Sequence, residues 1–104
     1  MAKRKPLLFP KTEKKLHLVG EQIKLARLRR HFTEQEMAER AHIGRSTVIQ
    51  IEKGSASVSM GMYLAVLDVL GLDDDILLLA RDDVMGRTYQ DLELKTPRRV
   101  RKKG

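Results

Sequence analysis

The side chains best equipped for chemistry in this sequence are cations and amides rather than nucleophiles. The segment Arg45-Ser46-Thr47-Val48-Ile49-Gln50 carries a guanidinium and a carboxamide. Those groups can make paired hydrogen bonds to guanine and adenine edges, and a Thr methyl can pack on thymine. The same residues could equally be the solvated face of a short helix, so the flanking sequence has to decide. Ser46 and Thr47 have no base near them in sequence, and neither a nucleophile–base pair nor a glycine-rich phosphate loop is present, so no enzymatic activity is expected. His17, His31 and His42 stand on separate segments without acidic partners at metal-ligand spacing and read as surface or turn residues. The absence of cysteine excludes a disulfide framework and any thiolate metal site. No metal and no cofactor is expected.

Charge narrows the choice of partner. The 104 residues carry a net charge of +7, distributed unevenly. Residues 1–15 hold six Lys or Arg against one Glu, and residues 95–104 hold six basic residues and no acid. Between them, residues 16–54 are mildly basic and residues 55–94 hold eight acids against two Arg. Basic tails suit a polyanion, although solubility or RNA contacts would explain them too. The length fits one domain with a small core, for which oligomerisation would add stability. No apolar run approaches the roughly 18 residues of a membrane span, and the apolar stretch of MAKRKPLLFPK is too short for a signal peptide. No membrane partner is expected, and the cytoplasm is the expected compartment.

Five short helices between two tails must position these residues. Residues 1–11, with Pro6, Pro10 and several basic side chains, read as a disordered arm. From Thr12, taken as a cap, Leu16, Val19, Ile23, Ala26 and Leu28 recur near helical period as far as about His31. Thr33 and Glu36 have capping-box spacing, and Phe32 and Met37 fit a hydrophobic staple. His42-Ile43-Gly44 interrupts that second helix. A third runs from Arg45 to about Lys53 with Val48 and Ile51 inward, and Gly54 is its left-handed stop. Ser59 caps a fourth, with Met62, Leu64 or Ala65, Val66, Leu67 and Leu70 on its buried side and Gly71 ending it. Asp73, Asp74 and Asp75 lead into a fifth helix over Ile76-Leu77-Leu78-Leu79-Ala80. Beyond Arg81 the pattern fades. Met85-Gly86 reads as a turn, Gly86–Leu94 as extended on the strength of Tyr89, Leu92 and Leu94, and Lys95–Gly104 as a disordered tail.

Thr33-Glu34-Gln35-Glu36-Met37-Ala38, then Ala41-His42-Ile43-Gly44, then Val48-Ile49-Gln50-Ile51-Glu52-Lys53-Gly54 fall in register over more than twenty residues. Together they resemble the helix-turn-helix of the XRE, or phage repressor/Cro, family, and with flanking helices the resemblance covers about residues 18–72. It implies an all-α, five-helix lambda-repressor-like DNA-binding domain over 12–81, preceded by the basic arm and followed by a C-terminal extension with a basic tail over 82–104. By position it assigns Arg45, Ser46, Thr47 and Gln50 to base edges in the major groove of double-stranded DNA. Thr33, Gln35 and Lys53, with the backbone N–H groups opening the second helix, are assigned to phosphates. Arg27 and Glu52 match a family ion pair tying the first helix to the end of the third. Three positions depart from the pattern: Glu34 stands where Gln is usual, His42 where Gly is usual and so must turn left-handed, and Gly44 where Ser usually caps. A carboxylate at position 34 repels phosphate, so Glu34 either costs affinity or turns away.

One recognition helix reads only a few base pairs, so a palindromic operator bound by a homodimer is expected. Ile76, Leu77, Leu78 and Leu79 are the expected dimer surface, since four consecutive large apolar residues exceed what one helix face can bury in so small a core. All four packing within the monomer is the competing reading. The remainder of the chain, above all Asp83-x-x-Gly86-Arg87-x-x-x-Asp91, is similar to HipB-type antitoxins paired with HipA-like kinase toxins. That likeness implies a repressor of its own operon, on the bacterial nucleoid, holding a HipA-like kinase inactive, with the acidic half turned from DNA. A stand-alone XRE-type regulator of phage or mobile-element origin is the alternative. A scaffold whose tails bind RNA is a third reading.

Overall fold

A computed structural model of the chain describes residues 6–95; residues 1–5 of the expected N-terminal arm and all of the expected C-terminal tail but Lys95 lie outside them, while Pro10 and Lys11, expected in the arm, are helical. Among the described residues the fold is all-α. Its elements are α1 (Pro10–Arg29), α2 (Glu34–Ala41), α3 (Arg45–Glu52), α4 (Met60–Leu70), a six-residue 3-10 segment (Asp73–Leu78) and α5 (Val84–Lys95). The chain divides into two compact units, Met1–Asp74 and Asp75–Gly104, so the Ile76–Ala80 run belongs with the C-terminal unit.

In the first unit, α1 begins earlier than its polar residues suggest. Pro10, not Thr12, opens it, because a fixed φ suits the first helical position and the missing N–H is needed by no partner there. The Phe9 carbonyl accepts from the N–H groups of Thr12 and Glu13, both at 2.9 Å. Its inward face is Gly20, Ile23, Ala26 and Arg27, whereas Val19 and Leu28, expected inside, are exposed. The capping box at α2 is complete: Thr33 Oγ1 accepts from the Glu36 N–H at 3.0 Å, and Glu36 Oε1 accepts from the Thr33 N–H at 2.8 Å. Phe32 packs against the core, with the Arg40 guanidinium 4.3 Å from its ring centroid. Ser59 caps α4 by accepting from the Met62 N–H at 3.3 Å, and the Met62 side chain, expected inside, is exposed.

The core gathers Ile23 and Ala26 from α1, Met37, Ala38 and Ala41 from α2, Val48 and Ile51 from α3, and Val66 and Leu70 from α4. Two glycines set how closely α1 approaches the end of α3. A Cβ on Gly20 would stand 2.5 Å from the Gly54 nitrogen and 2.6 Å from the Ile51 carbonyl oxygen. A Cβ on Gly54, at φ 71°, would stand 2.5 Å from the His17 Cα and from the Leu16 carbonyl oxygen. Backbone meets backbone at this crossing, so neither side can yield.

The second unit corrects two expectations. Ile76–Ala80 is not a fifth α-helix. The 3-10 segment ends at Leu78, and Ala80 at φ 59° turns the chain left-handed, so there is no room for even two α turns. Gly86–Leu94 is not extended but forms most of α5. Asp83 starts that helix, its Oδ1 accepting from the Gly86 N–H at 2.9 Å and its carbonyl from the Arg87 N–H at 3.0 Å. Met85, Tyr89 and Leu92 recur at helical spacing but are all exposed, as are Val84 and Leu94.

The crossing yields a stability test by urea denaturation. Gly20→Ala should lose about 2–3 kcal/mol or more, because the added methyl overpacks against rigid backbone. Gly61→Ala, whose Cβ would meet only the Ser59 hydroxyl at 3.9 Å, should instead gain about 0.4–1 kcal/mol from a less flexible unfolded chain.

Candidate nucleic-acid interface

The site is built on α3, and α3 is placed by what lies beneath it. Val48 and Ile51 are fully buried and Glu52 is nearly so. An eight-residue helix pinned along that side presents the opposite one: Arg45, Ser46, Gln50 and Lys53 are exposed, with Ile49 half-buried among them. Thr47 is also half-buried, at the margin between the two faces. The turn before α3 puts His42 at φ 58°, ψ 42°, so the expected left-handed residue is there without glycine. Gly44 caps α3 with no side-chain hydrogen bond. The start of α3 therefore carries uncapped N–H groups at Arg45 and Ser46 and partial positive charge beside them, while the Thr47 N–H donates to the Gly44 carbonyl at 3.1 Å.

Arg27 ties this platform together. Its Nε donates to Glu52 Oε2 at 2.6 Å, Nη2 to Glu52 Oε1 at 3.1 Å, and Nη1 to the Phe32 carbonyl at 2.7 Å. Both side chains of the pair are buried, at 8% and 4% exposure. The hydrogen bond to Glu52 raises the Arg27 pKa and outweighs desolvation, so the guanidinium is held charged. From α4, Tyr63 donates its hydroxyl proton to the carbonyl of Ser55 in the loop after α3 at 2.7 Å, and burial raises its pKa.

The N-terminus of α2 lies beside the start of α3. The capping box consumes the N–H groups of Thr33 and Glu36, so those of Glu34 and Gln35 are the donors left for an anion. The Gln35 amide donates to Glu39 Oε2 at 3.2 Å along the helix. Glu34 turns toward cations: its Oε2 is 3.9 Å from Arg27 Nη2 and its Oε1 is 3.8 Å from Arg45 Nη2. An open cleft of about 680 Å³ follows this edge, lined by Lys24, Thr33, Gln35 and Arg45 among others.

The residues expected to meet bases thus share one short helix, and those expected to meet phosphates flank it. Sequence reasoning passed over Ile49, although Val48 and Ile51 already fill the inner side of so short a helix and a third large apolar residue must look outward. It also did not foresee the Glu34–Arg45 contact, which joins residues from two helices and leaves no mark in spacing. Among the described residues no group of His, Asp and Glu is arranged to hold a metal, and no helix is long and apolar enough to cross a membrane.

A family model described as a helix-turn-helix domain matches residues 18–79, more than half of the chain. No curated protein matches the chain.

Two outcomes test the supports of the site. Arg27→Met should cost about 3–5 kcal/mol in urea denaturation, since it strands a buried carboxylate. Arg27→Met/Glu52→Leu should recover part of that loss. The Glu36 pKa is lowered, chiefly by the hydrogen bond from the Thr33 backbone. A depressed carboxylate stabilises the fold above its unfolded pKa, and the contribution is lost as pH falls through the folded one. Glu36→Gln should therefore be less stable than the parent near pH 7, and the difference should shrink as acid titrates the Glu36 carboxylate.

Proposed function

We propose a specific task for this chain, which belongs to the helix-turn-helix domain family of the XRE-like type and is thereby a DNA-binding transcription regulator: as a homodimer it reads a palindromic operator through α3 and represses transcription there. The observation that carries this reading is the division of α3 into a locked inner side, Val48 and Ile51, and an outer side of Arg45, Ser46, Ile49, Gln50 and Lys53. Arg45 is suited to a bidentate contact with guanine and Gln50 to one with adenine, and Thr47 and Ile49 can pack on thymine methyls. Thr33, Gln35, Lys53 and the first N–H groups of α2 fix the register on phosphates.

Dimerisation supplies the second half-site about one turn of DNA away. Leu77, Leu78 and Leu79, at 68%, 58% and 59% exposure in the single chain, with Ile76 half-buried beside them, are the surface assigned to it. A contiguous apolar run of this size on a soluble chain calls for a partner.

The narrower reading is an autorepressing antitoxin of a HipA-like kinase, acting in the cytoplasm on the bacterial nucleoid. It rests on the likeness of the C-terminal motif to HipB-type proteins. One observation favours a stand-alone regulator instead. Asp83 is the hydrogen-bonded start of α5, and a Cβ on Gly86 would run into the Asp83 carboxylate, so Asp83-x-x-Gly86 has a local folding purpose that needs no kinase. A kinase-like reading frame beside this gene, with a product that co-purifies with the chain, decides for the antitoxin.

DNA reading itself is tested by binding to the region upstream of the chain's own gene and to a scrambled duplex of equal length, at two salt concentrations. The native chain should prefer the upstream duplex by roughly a thousandfold or more, and Arg45→Ala/Gln50→Ala should abolish the preference. Equal binding to both duplexes that collapses with salt would mean phosphate contact alone.

A further inference from the structure

The geometry points to Glu34 as a positioning residue that sets the sequence preference of the interface through Arg45, an inference that rests on the proposed base-reading role of Arg45. Four side chains of alternating charge run from the buried end of α3 to its exposed start: Glu52, Arg27, Glu34, Arg45. The first link is tight and desolvated, at 2.6 and 3.1 Å. The second holds Glu34 3.9 Å from an Arg27 guanidinium that Glu52 and the Phe32 carbonyl have already fixed. Glu34 is only 26% exposed, so its carboxylate is set against the body of the domain rather than waving in solvent. The third link places that carboxylate 3.8 Å from Arg45 Nη2, whose side chain is 60% exposed.

The length of this last link matters. At 3.8 Å it lies beyond hydrogen-bond distance, so it acts through charge and leaves the guanidinium's N–H groups open to an acceptor pair on a base. An untethered Arg beside a duplex is drawn to the nearest phosphate, which carries no sequence information. A fixed carboxylate counters that pull twice over. It attracts the guanidinium to one side, and it repels the phosphates that compete for it. Glu34 thereby gives up sequence-independent affinity and gains discrimination at the base that Arg45 contacts. The N-terminus of α2 tolerates the charge, since the helix dipole favours a carboxylate there. The contact is partly exposed and contributes little to folding, so substitutions at position 34 should leave the thermal transition in place.

Duplexes are selected by the native chain from a random-sequence pool, and binding is measured to the selected duplex, to versions with each guanine replaced, and to a scrambled duplex. The proteins are the native chain, Glu34→Gln, Glu34→Asp, Arg45→Ala and Glu34→Gln/Arg45→Ala. Glu34→Gln should bind the scrambled duplex several-fold tighter, with a salt dependence steeper by about one charge. Its discrimination at the guanine read by Arg45 should fall by about tenfold. Glu34→Asp keeps the charge but withdraws it by one methylene, so its scrambled-duplex affinity should stay near native while discrimination falls part of the way. The double variant should discriminate no worse than Arg45→Ala. If Arg45→Ala loses discrimination while Glu34→Gln keeps it, the positioning role is overturned and the reading of Arg45 stands. If Arg45→Ala discriminates as the native chain does, or no consensus is selected, the base-reading role of Arg45 fails and this inference with it.

Discussion

The fold of the first unit turns on a single buried guanidinium. Arg27 leaves α1 and spends its donors on Glu52 at the end of α3 and on the Phe32 carbonyl in the turn that leads to α2. Removing such a charge from water is unfavourable unless its donors are met and its counter-charge is equally well placed. Here both conditions hold, and the result is directional in a way that apolar packing is not. A two-pronged guanidinium–carboxylate contact has one register. The Gly20–Gly54 crossing lets α1 come close enough for that register to be reached.

What α3 can present follows from this constraint. With Val48, Ile51 and Glu52 committed to the interior, only the opposite side of a helix of eight residues remains. Its position is held at the C-terminal end by Arg27 and at the N-terminal end by the His42–Gly44 turn. The same Arg27 reaches Glu34 and, through it, Arg45, so the residue that secures the domain also bears on an exposed cation at the start of α3. A change in the core pair would therefore be felt at the outer face of α3.

Much of this was legible in the sequence wherever a local rule and the fold agree. Thr33 and Glu36 satisfy each other's backbone within one turn, so spacing alone marks the start of α2. The turn residues His42, Gly54 and Gly71 all take the left-handed backbone that a short connection demands, and Ser59 caps as its position suggests. Arg27 and Glu52, twenty-five residues apart, were legible only through family resemblance, because no periodicity links them. The failures are equally physical. Thr12 looked like a cap, but Pro10 and the Phe9 carbonyl start α1 without one. In α5 the stripe of Met85, Tyr89 and Leu92 was hidden by Val84 and Leu94, since burial had not sorted inside from outside. Ile76–Ala80 has the composition of a helix but too little length before Ala80 turns left-handed. Glu34 was read through its effect on phosphate, whereas its nearest charges are two arginines, one of them from the next helix.

The central claim is that the outer side of α3 meets base edges in the major groove. Methylation interference addresses it most directly, because guanine N7 is a major-groove acceptor. The account predicts that N7 methylation at guanines in two clusters, centred about one helical turn apart, prevents binding of the native chain, and that Arg45→Ala removes that sensitivity. Binding indifferent to N7 methylation anywhere in the duplex would contradict it, and would move recognition from α3 to the phosphate backbone or the minor groove.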